Sequence, residues 1–414
     1  MSSEWETITL GELTINHDTK RKPVKGPDRR PGPYPYYGAS GIVDYVDGYL
    51  FDGDFLLIAE DGENLRTRQT PIAFLARGKF WVNNHAHIVT GNERASTRFL
   101  MYSLLTADIH SFLTGAVMPK LTQANLNKIP IVCPPREIQD YIVNILGALD
   151  DRIALLHETN TTLEAIAQTL FKSWFVDLDP VHAKQQGREP EGMDAETAAL
   201  FPDSFEESEL GLVPSGWRVG TIGQIADTVR SQRKPSQLNS DTNYVGLEHI
   251  PRRSLSLANW GSAEGLESAK SCFSNGDILF GKLRPYFHKV VIAPFDGVCS
   301  TDILVCQSKL REYYGLVTMH LFSKALIDYA ERLSNGAKMP RINWKDLAAY
   351  PIVLPPQDLA ENYRTIVEPL FQSILANVQQ IKTLATLRDT LLPRLISGQL
   401  RLPESEAMIE GIGR

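Results

Sequence analysis

Residues 115–135 read GAVMPKLTQANLNKIPIVCPP, and residues 336–356 read GAKMPRINWKDLAAYPIVLPP. The two passages align without a gap. Gly115, Ala116, Met118, Pro119, Leu126, Pro130, Ile131, Val132, Pro134 and Pro135 recur as Gly336, Ala337, Met339, Pro340, Leu347, Pro351, Ile352, Val353, Pro355 and Pro356, and Lys120 is answered by Arg341. Identities held in register over a whole passage are not two proline turns alike by accident. Solenoid repeats recur every 20–50 residues or so. This period is far longer, so it marks a duplicated domain.

The duplication extends backwards. SEWETITLGEL near the start pairs with SGWRVGTIGQI, matching Trp5 to Trp217, Gly11 to Gly223 and Leu13 to Ile225. Arg21-Lys22-Pro23 then pairs with Arg233-Lys234-Pro235, and FDGDFLL resembles FSNGDILF, setting Gly53-Asp54 opposite Gly276-Asp277. Between these anchors the halves diverge into β-branched and aromatic runs bounded by Gly, Pro, Asn and Asp: PYYGASGIVDYV, DFLLIAE, FWVNNHAHIV, DILFGKL, HKVVIAP and DILVCQ. Such runs predict short strands. TRFLMYSLLTADIHSFL and EYYGLVTMHLFSKALIDYAERL predict helical pieces after them, so each middle is a mixed α/β domain.

Forward of each PP the period becomes that of a long helix. Ile138, Ile142, Ile145, Leu149, Leu156, Leu163, Ile166 and Leu170 fall at three- and four-residue steps, as do Leu359, Tyr363, Ile366, Leu370, Leu384, Leu387 and Leu391. This is a coiled-coil seam. Both copies break it at one place, where polar Arg152 and Ser373 precede apolar Ile153 and Ile374. At ~1.5 Å per residue each helix is a rod roughly 50–60 Å long. The expected layout is domain 1–135, helix 136–176, acidic linker 177–213, domain 214–356, helix 357–400 and tail 401–414.

Apolar content of 43% and charged content of 22% suit a globular chain of 414 residues with more than one core. No run is apolar enough to cross a bilayer, which needs about 20 residues. MSSEWETITL has neither the basic nor the apolar region of a secretion signal, so a cytoplasmic location is expected. Cys133, Cys272, Cys299 and Cys306 have neither CxxC spacing nor companion histidines at zinc-finger spacing, and free thiols are expected. The net charge of −7 is local: QQGREPEGMDAETAALFPDSFEESEL holds eight acids (Glu189, Glu191, Asp194, Glu196, Asp203, Glu206, Glu207, Glu209) against Arg188. The remainder is balanced, with basic clusters, and phosphate binding follows local potential.

Those clusters supply the candidate DNA contacts. The first domain carries Lys20, Arg21, Lys22, Lys25, Arg29 and Arg30 with Tyr34, Tyr36 and Tyr37, then Asn83, Asn84 and His85 in VNNHAHIV. The second carries Arg233, Lys234, His249, Lys282, Arg284, Tyr286 and Lys289. Lys120 and Arg341 suggest one backbone contact made in both halves. Arg forks to guanine and Asn pairs with adenine, while Lys and Arg neutralise phosphate. GDILFGKL resembles a phosphate-binding GxxxxGK loop, but Leu283 stands where Mg2+ needs a hydroxyl. No Glu-x-Lys nuclease pattern and no Asn/Asp-Pro-Pro-Tyr/Phe methylation motif occurs. His85 and His87 form a weak metal signal with no partner cluster. Recognition without catalysis is expected, and no metal.

The duplicated MPK.T…L..IPI..PP, the following I…I…LDDRI.L and ETN..LE..AQ.LFKSWFVD, and the EGMDAETAALFPDSFEESELG.VP.GW stretch resemble the specificity subunits of type I restriction-modification systems. The resemblance covers the whole chain. It implies an α/β fold: two mixed α/β target-recognition domains alternating with two long helices paired as an antiparallel coiled coil, pseudo-twofold symmetric. It implies that each domain reads one half of a split double-stranded DNA target while the rods set the spacer. It also implies that the rods dock two methyltransferase subunits, with motor-nuclease subunits joining for restriction. The expected docking residues are Ile138, Ile142, Leu149, Leu163, Phe171, Trp174, Leu359, Tyr363, Leu370, Leu384 and Leu391. S-adenosylmethionine for adenine N6 methylation, ATP and Mg2+ are expected on those partners, with no cofactor on this chain and no membrane partner. The alternative reading is a stand-alone coiled-coil DNA-binding regulator.

Overall fold

The computed structural model describes residues 5–336 and 338–400. Ala337 of the second repeat and the tail at 401–414 lie outside the described residues. The chain divides into two units, Met1–Arg152 with Leu384–Arg414, and Ile153–Thr383.

In each unit the duplicated passage closes the domain on its own beginning. Glu6–Thr9 pairs antiparallel with Pro130–Cys133, in register Thr9 to Pro130. Arg218–Thr221 pairs with Pro351–Leu354, in register Thr221 to Pro351. The proline of PIV sits at the first position of an outer strand, where its missing N–H costs no ladder bond. Gly11 and Gly223 follow these first strands. A Cβ on Gly11 would stand 2.9 Å from Asn127 Cβ, and one on Gly223 would stand 2.8 Å from Ala348 Cβ. Only glycine lets the chain pass so close to the short helix of the repeat, Gln123–Leu126 or Trp344–Ala348.

Each middle is built on the same antiparallel four-stranded sheet. In the first unit its order is Thr14–Asn16, Ala86–Gly91, Phe55–Ala59, Ala73–Ala76; in the second it is Ala226–Thr228, Ile303–Ser308, Ile278–Gly281, Val290–Ile292. A second sheet of four strands (Gly41–Val46, Pro31–Gly38, Lys79–Val82, Phe51–Asp52) completes the first domain, and one of five strands completes the second. The helices Thr97–Thr106, Tyr314–Phe322 and Lys324–Leu333 fall where the sequence predicts them.

The long helices span Arg136–Phe171 and Gln357–Ile396, the first running on into a π-helical turn over Lys172–Val176. In the second unit they lie antiparallel: Tyr363 Oη donates to Ala167 O at 3.2 Å, while Asn377 bonds Asn160 at 2.8 Å. In the first unit Arg388 bonds Asp150 at 2.8 Å. The seam differs from its sequence reading at one step in each helix. Ala167 and Val367 are buried, whereas Ile166 and Ile366 are exposed. Small Ala167 leaves room for the Tyr363 ring above it, which a β-branched residue would crowd.

The stretch read as a linker is folded. Asp179–Gln185 and Ala195–Ala199 are helices, and Phe205–Ser208 pairs with Gly211–Pro214 in a hairpin. Val181 and Phe201 join Trp174, Trp217 and Tyr363 in the core of the second unit. Its acids stay at the surface while Val181, Phe201 and Val213 pack inward, and Leu210 and Leu212 are exposed. Among the described residues no helix is long and apolar enough to cross a membrane, and all four cysteines are free.

Candidate nucleic-acid interface

Where the strand Phe55–Ala59 ends and Ala86–Gly91 begins, several predicted residues of the first unit converge. Glu60 sits at that edge, 13% exposed, and binds two of the candidate cations: Arg21 Nη1 at 2.6 Å and Lys120 Nζ at 3.2 Å. Burial raises the Glu60 pKa, but Arg21, His87 and Lys120 outweigh it and hold the carboxyl below its ordinary value. Arg21 also donates to the carbonyls of Asp18 and Ala86 at 3.2 and 2.9 Å. Its guanidinium is thereby turned inward, and the NNH turn is fastened to the basic loop. Lys20 and Lys22 on either side of Arg21 are exposed.

Asn83 Oδ1 accepts from the His85 N–H at 2.8 Å, an Asx turn that leaves Asn84 and His85 facing solvent. His85 Nδ1 lies 2.8 Å from Asp61. Its neighbour in the HAH pair points the other way: His87 is buried between Asp18 and the Leu121 carbonyl. His85 lies in the turn before the strand and His87 within it, so the two rings meet different partners, and among the described residues no three-residue cluster could hold a metal. Arg29 lies over the Tyr36 ring at 4.3 Å and bonds Asp44 at 3.1 Å, while Arg30 is exposed. Tyr37 is half-buried against Phe74 and Phe80.

The second unit repeats this frame with different side chains. Lys282 takes the backbone place of Glu60: Leu121 N donates to Glu60 O at 2.8 Å, and Ile342 N to Lys282 O at 3.1 Å. Asp302 takes the place of His85, since Glu60 N donates to His85 O and Lys282 N to Asp302 O. Asp302 grips Arg341 with both oxygens, at 2.8 and 3.1 Å, and this holds its carboxyl below the usual range. The shared cation of the repeat is thus anchored by an acid in each unit, but from a different strand.

Around it stand Arg284, whose Nη2 donates to Lys338 O at 3.0 Å, and exposed Tyr286, which meets Phe287 edge to face. Lys289 Nζ is tied to the Leu247 carbonyl, and burial lowers its pKa. His249 Nδ1 accepts from Gly246 N at 2.9 Å. Gly281 of the GDILFGKL stretch lies in a strand, paired with Ile303, rather than in a phosphate loop. Arg233 is exposed on a separate edge strand, Gln232–Arg233, that pairs with Lys270–Phe273, and exposed Lys234 follows it at the cap of the next turn.

A family model for the type I restriction modification DNA specificity domain matches this chain twice, at residues 2–165 and 214–385. The chain belongs to that family. The two matches coincide with the duplicated halves. An Escherichia coli relative, the type I restriction enzyme EcoDI specificity subunit, is 27% identical over 382 residues, covering 89% of this chain and 81% of that one. A Haemophilus influenzae protein described as a type I restriction enzyme specificity subunit is 46% identical over 147 residues, covering 36% of this chain and 38% of its own length. The S subunit of a type I system from M. genitalium shares the fold at a TM-score of 0.58 and 15% identity, covering 95% of this chain and 96% of that one.

The specificity-subunit seam residues predicted to dock partners have a different immediate neighbour. Ile142, Leu149, Phe171, Trp174, Leu359, Tyr363 and Leu391 are buried in this chain's own cores, and Ile138, Leu163, Leu370 and Leu384 are packed against them. The seam is used up by the chain itself. Sequence reasoning missed Glu60, Asp61 and Asp302. No motif marks them, because the two halves place their acids on different strands.

Proposed function

We propose that this chain is the non-catalytic reader of a type I restriction-modification complex, each recognition domain binding one half of a bipartite duplex target. The observation that carries the reading is the joint cation. Lys120 and Arg341 occupy the same place in the duplicated passage, bridged to the segment after the corresponding strand of two otherwise divergent domains, and each is anchored by an acid. A backbone contact needed once per half-site would be duplicated in this way, while base-reading side chains would diverge. In the first unit Lys20, Lys22, Arg30, Asn84 and His85 are exposed, and beside Arg341 in the second stand Lys282 and Arg284, with Tyr286 exposed. Arg21 and Lys289 serve as supports, being tied to protein groups.

The helices then act as the spacer between two readers and dock two methyltransferase subunits in pseudo-twofold fashion. Docking falls on outward faces, where Ile166 and Ile366 remain exposed, since the inward seam is occupied. S-adenosylmethionine, ATP and Mg2+ belong to the methyltransferase and motor-nuclease partners, and the assembly works in the cytoplasm.

Single-molecule sequencing of host DNA, scored for N6-methyladenine with and without this gene, tests the reading. A bipartite motif that disappears on deletion is expected, and it reports both half-sites and the spacer. Unchanged methylation would overturn the assignment of target reading to this chain.

A further inference from the structure

The duplicated passage carries, on its solvent side, a tip that is closed by hydrogen bonds at its base and exposes a methionine. Val117 is 95% exposed and Met118 63%; in the second unit Met339 is 47% exposed and Lys338 stands where Val117 does. These tips are not loose turns. In the first, Thr114 and Lys120 exchange N–H···O bonds of 2.8 and 2.7 Å across the base of the loop. In the second, Asn335 and Arg341 do the same at 3.0 and 2.9 Å. Gly115 and Gly336 turn the chain at φ +88 and +114, and a Cβ on Gly115 would meet the Met118 carbonyl at 2.1 Å. From the side, an arginine staples each tip: Arg66 Nη2 donates to Gly115 O at 2.9 Å, and Arg284 Nη2 to Lys338 O at 3.0 Å.

A fixed, solvent-bathed methionine is costly in water, and here it is flanked by cations. Arg66 and Lys120 lie beside the first tip, Arg284 and Arg341 beside the second. The nearby acids are already engaged: Glu60 by Arg21 and Lys120, Asp302 by Arg341, and Glu63 with Arg66 at 3.5 Å. A purely apolar partner would explain an apolar tip, but not one set among guanidinium and ammonium groups in both halves. Duplex DNA explains both, because its phosphates take the cations and its base stack takes the apolar wedge.

We propose that Met118 and Met339 are wedges that press between base pairs of the bound duplex and locally unstack one step in each half-site. Val117 broadens the first wedge, and Lys338 gives the second an extra phosphate contact. The methionine is shared because unstacking is needed in both halves. Its neighbour differs because the flanking sequence does. The proposal rests on the reading that this chain binds duplex DNA, and the test separates the two.

The probe is the full chain, purified with its methyltransferase partner, on duplexes carrying the methylome-derived target with 2-aminopurine substituted one position at a time. Binding is followed in parallel by anisotropy of a terminal dye. In the wild type, fluorescence should rise at one step in each half-site, apart from the methylated adenine itself. Val117→Ser with Met118→Ser should abolish the rise in one half-site only, and Met339→Ser should abolish it in the other, while the complex still binds. Each variant thereby controls for the folding of the other half. A wild-type complex that binds with no such rise, or variants that keep it, overturns the wedge. A wild-type complex that binds no duplex overturns the DNA-reading assignment as well.

Discussion

Asn377 donates to Asn160 Oδ1 across 2.8 Å, joining the two long helices through amides far apart in the sequence. Asn160 is buried, and its Nδ2 donates to Ser256 Oγ at 3.2 Å. A polar pair inside a helix seam fixes register at some cost in stability, because a slipped alignment would leave both amides unpaired. Asn160→Ala should lower unfolding stability by about 1–3 kcal/mol, the cost of stranding buried partners. In a double-mutant cycle with Asn377→Ala, measured by urea unfolding, the two losses should fall short of additive by about 0.5–3 kcal/mol. Strict additivity would mean that the amides do not speak to each other.

Four residues further along, Glu164 fastens the same helix to the second recognition domain. Its Oε1 accepts from Ser254 Oγ, Leu255 N and Ser256 N at 2.8, 3.0 and 3.1 Å. Burial raises its pKa above the ordinary 4.5, and the hydrogen bonds recover only part of the shift. The sign follows. Below 4.5 the group is protonated in both states and costs nothing. As pH rises from 4.5 towards the raised native value, the unfolded chain ionises more readily than the folded one, so this group's contribution to stability falls. Glu164→Gln should therefore be better tolerated at pH 8 than at pH 5, relative to wild type. Urea midpoints at both values check this; a wild-type-to-variant difference that does not move with pH would refute it.

Gly11 and Gly223 allow the close approach that shuts each domain on its repeat. Gly11→Ala would place a methyl 2.9 Å from Asn127 Cβ and 3.2 Å from its carbonyl. Gly223→Ala would place one 2.8 Å from Ala348 Cβ and 3.0 Å from its carbonyl. Backbone must shift in both, at about 1–3 kcal/mol each. Hydrogen exchange should show faster opening of Glu6–Thr9 with Pro130–Cys133 in the first variant, and of Arg218–Thr221 with Pro351–Leu354 in the second. Loosening at the wrong pair of strands would contradict the closure.

How much of this was legible in the sequence depended on where the constraint was local. The repeat, the long helices and the strand runs were readable because proline placement, seam spacing and β-branched runs act over a few residues. The step from Ile166 to Ala167 was not, because it is set by Tyr363 arriving from another helix. The folding of the acidic linker is hidden for a related reason: its acids dominate the composition, while Val181 and Phe201 find their partners far along the chain. The match of Gly53 to Gly276 holds, both turning at positive φ. Yet the first strand carries one residue more before its end, so Glu60 falls opposite Lys282 and not opposite Leu283. An acid in one half and a base in the other give no repeated letter to find.

That same exchange separates cations that hold the fold from cations free to meet phosphate. Arg21 is 15% exposed and committed to Glu60 and to main-chain carbonyls, whereas Lys20 and Lys22 beside it face solvent. Arg21→Ala should leave Glu60 to Lys120 alone, take the donor from the Asp18 and Ala86 carbonyls, and lower stability by about 1–3 kcal/mol. Lys20→Ala with Lys22→Ala should leave unfolding unchanged and weaken DNA binding instead. Each lost phosphate contact reduces the slope of log K against log salt by about 0.9, so the pair should reduce it by nearly two. Binding of the assembled complex to target duplex across a salt series, set beside urea melts of the same proteins, resolves the two roles. If the lysine pair left the salt slope untouched, this loop would not lie on the DNA. If Arg21→Ala changed the slope and not the stability, the buried guanidinium would be a reader after all.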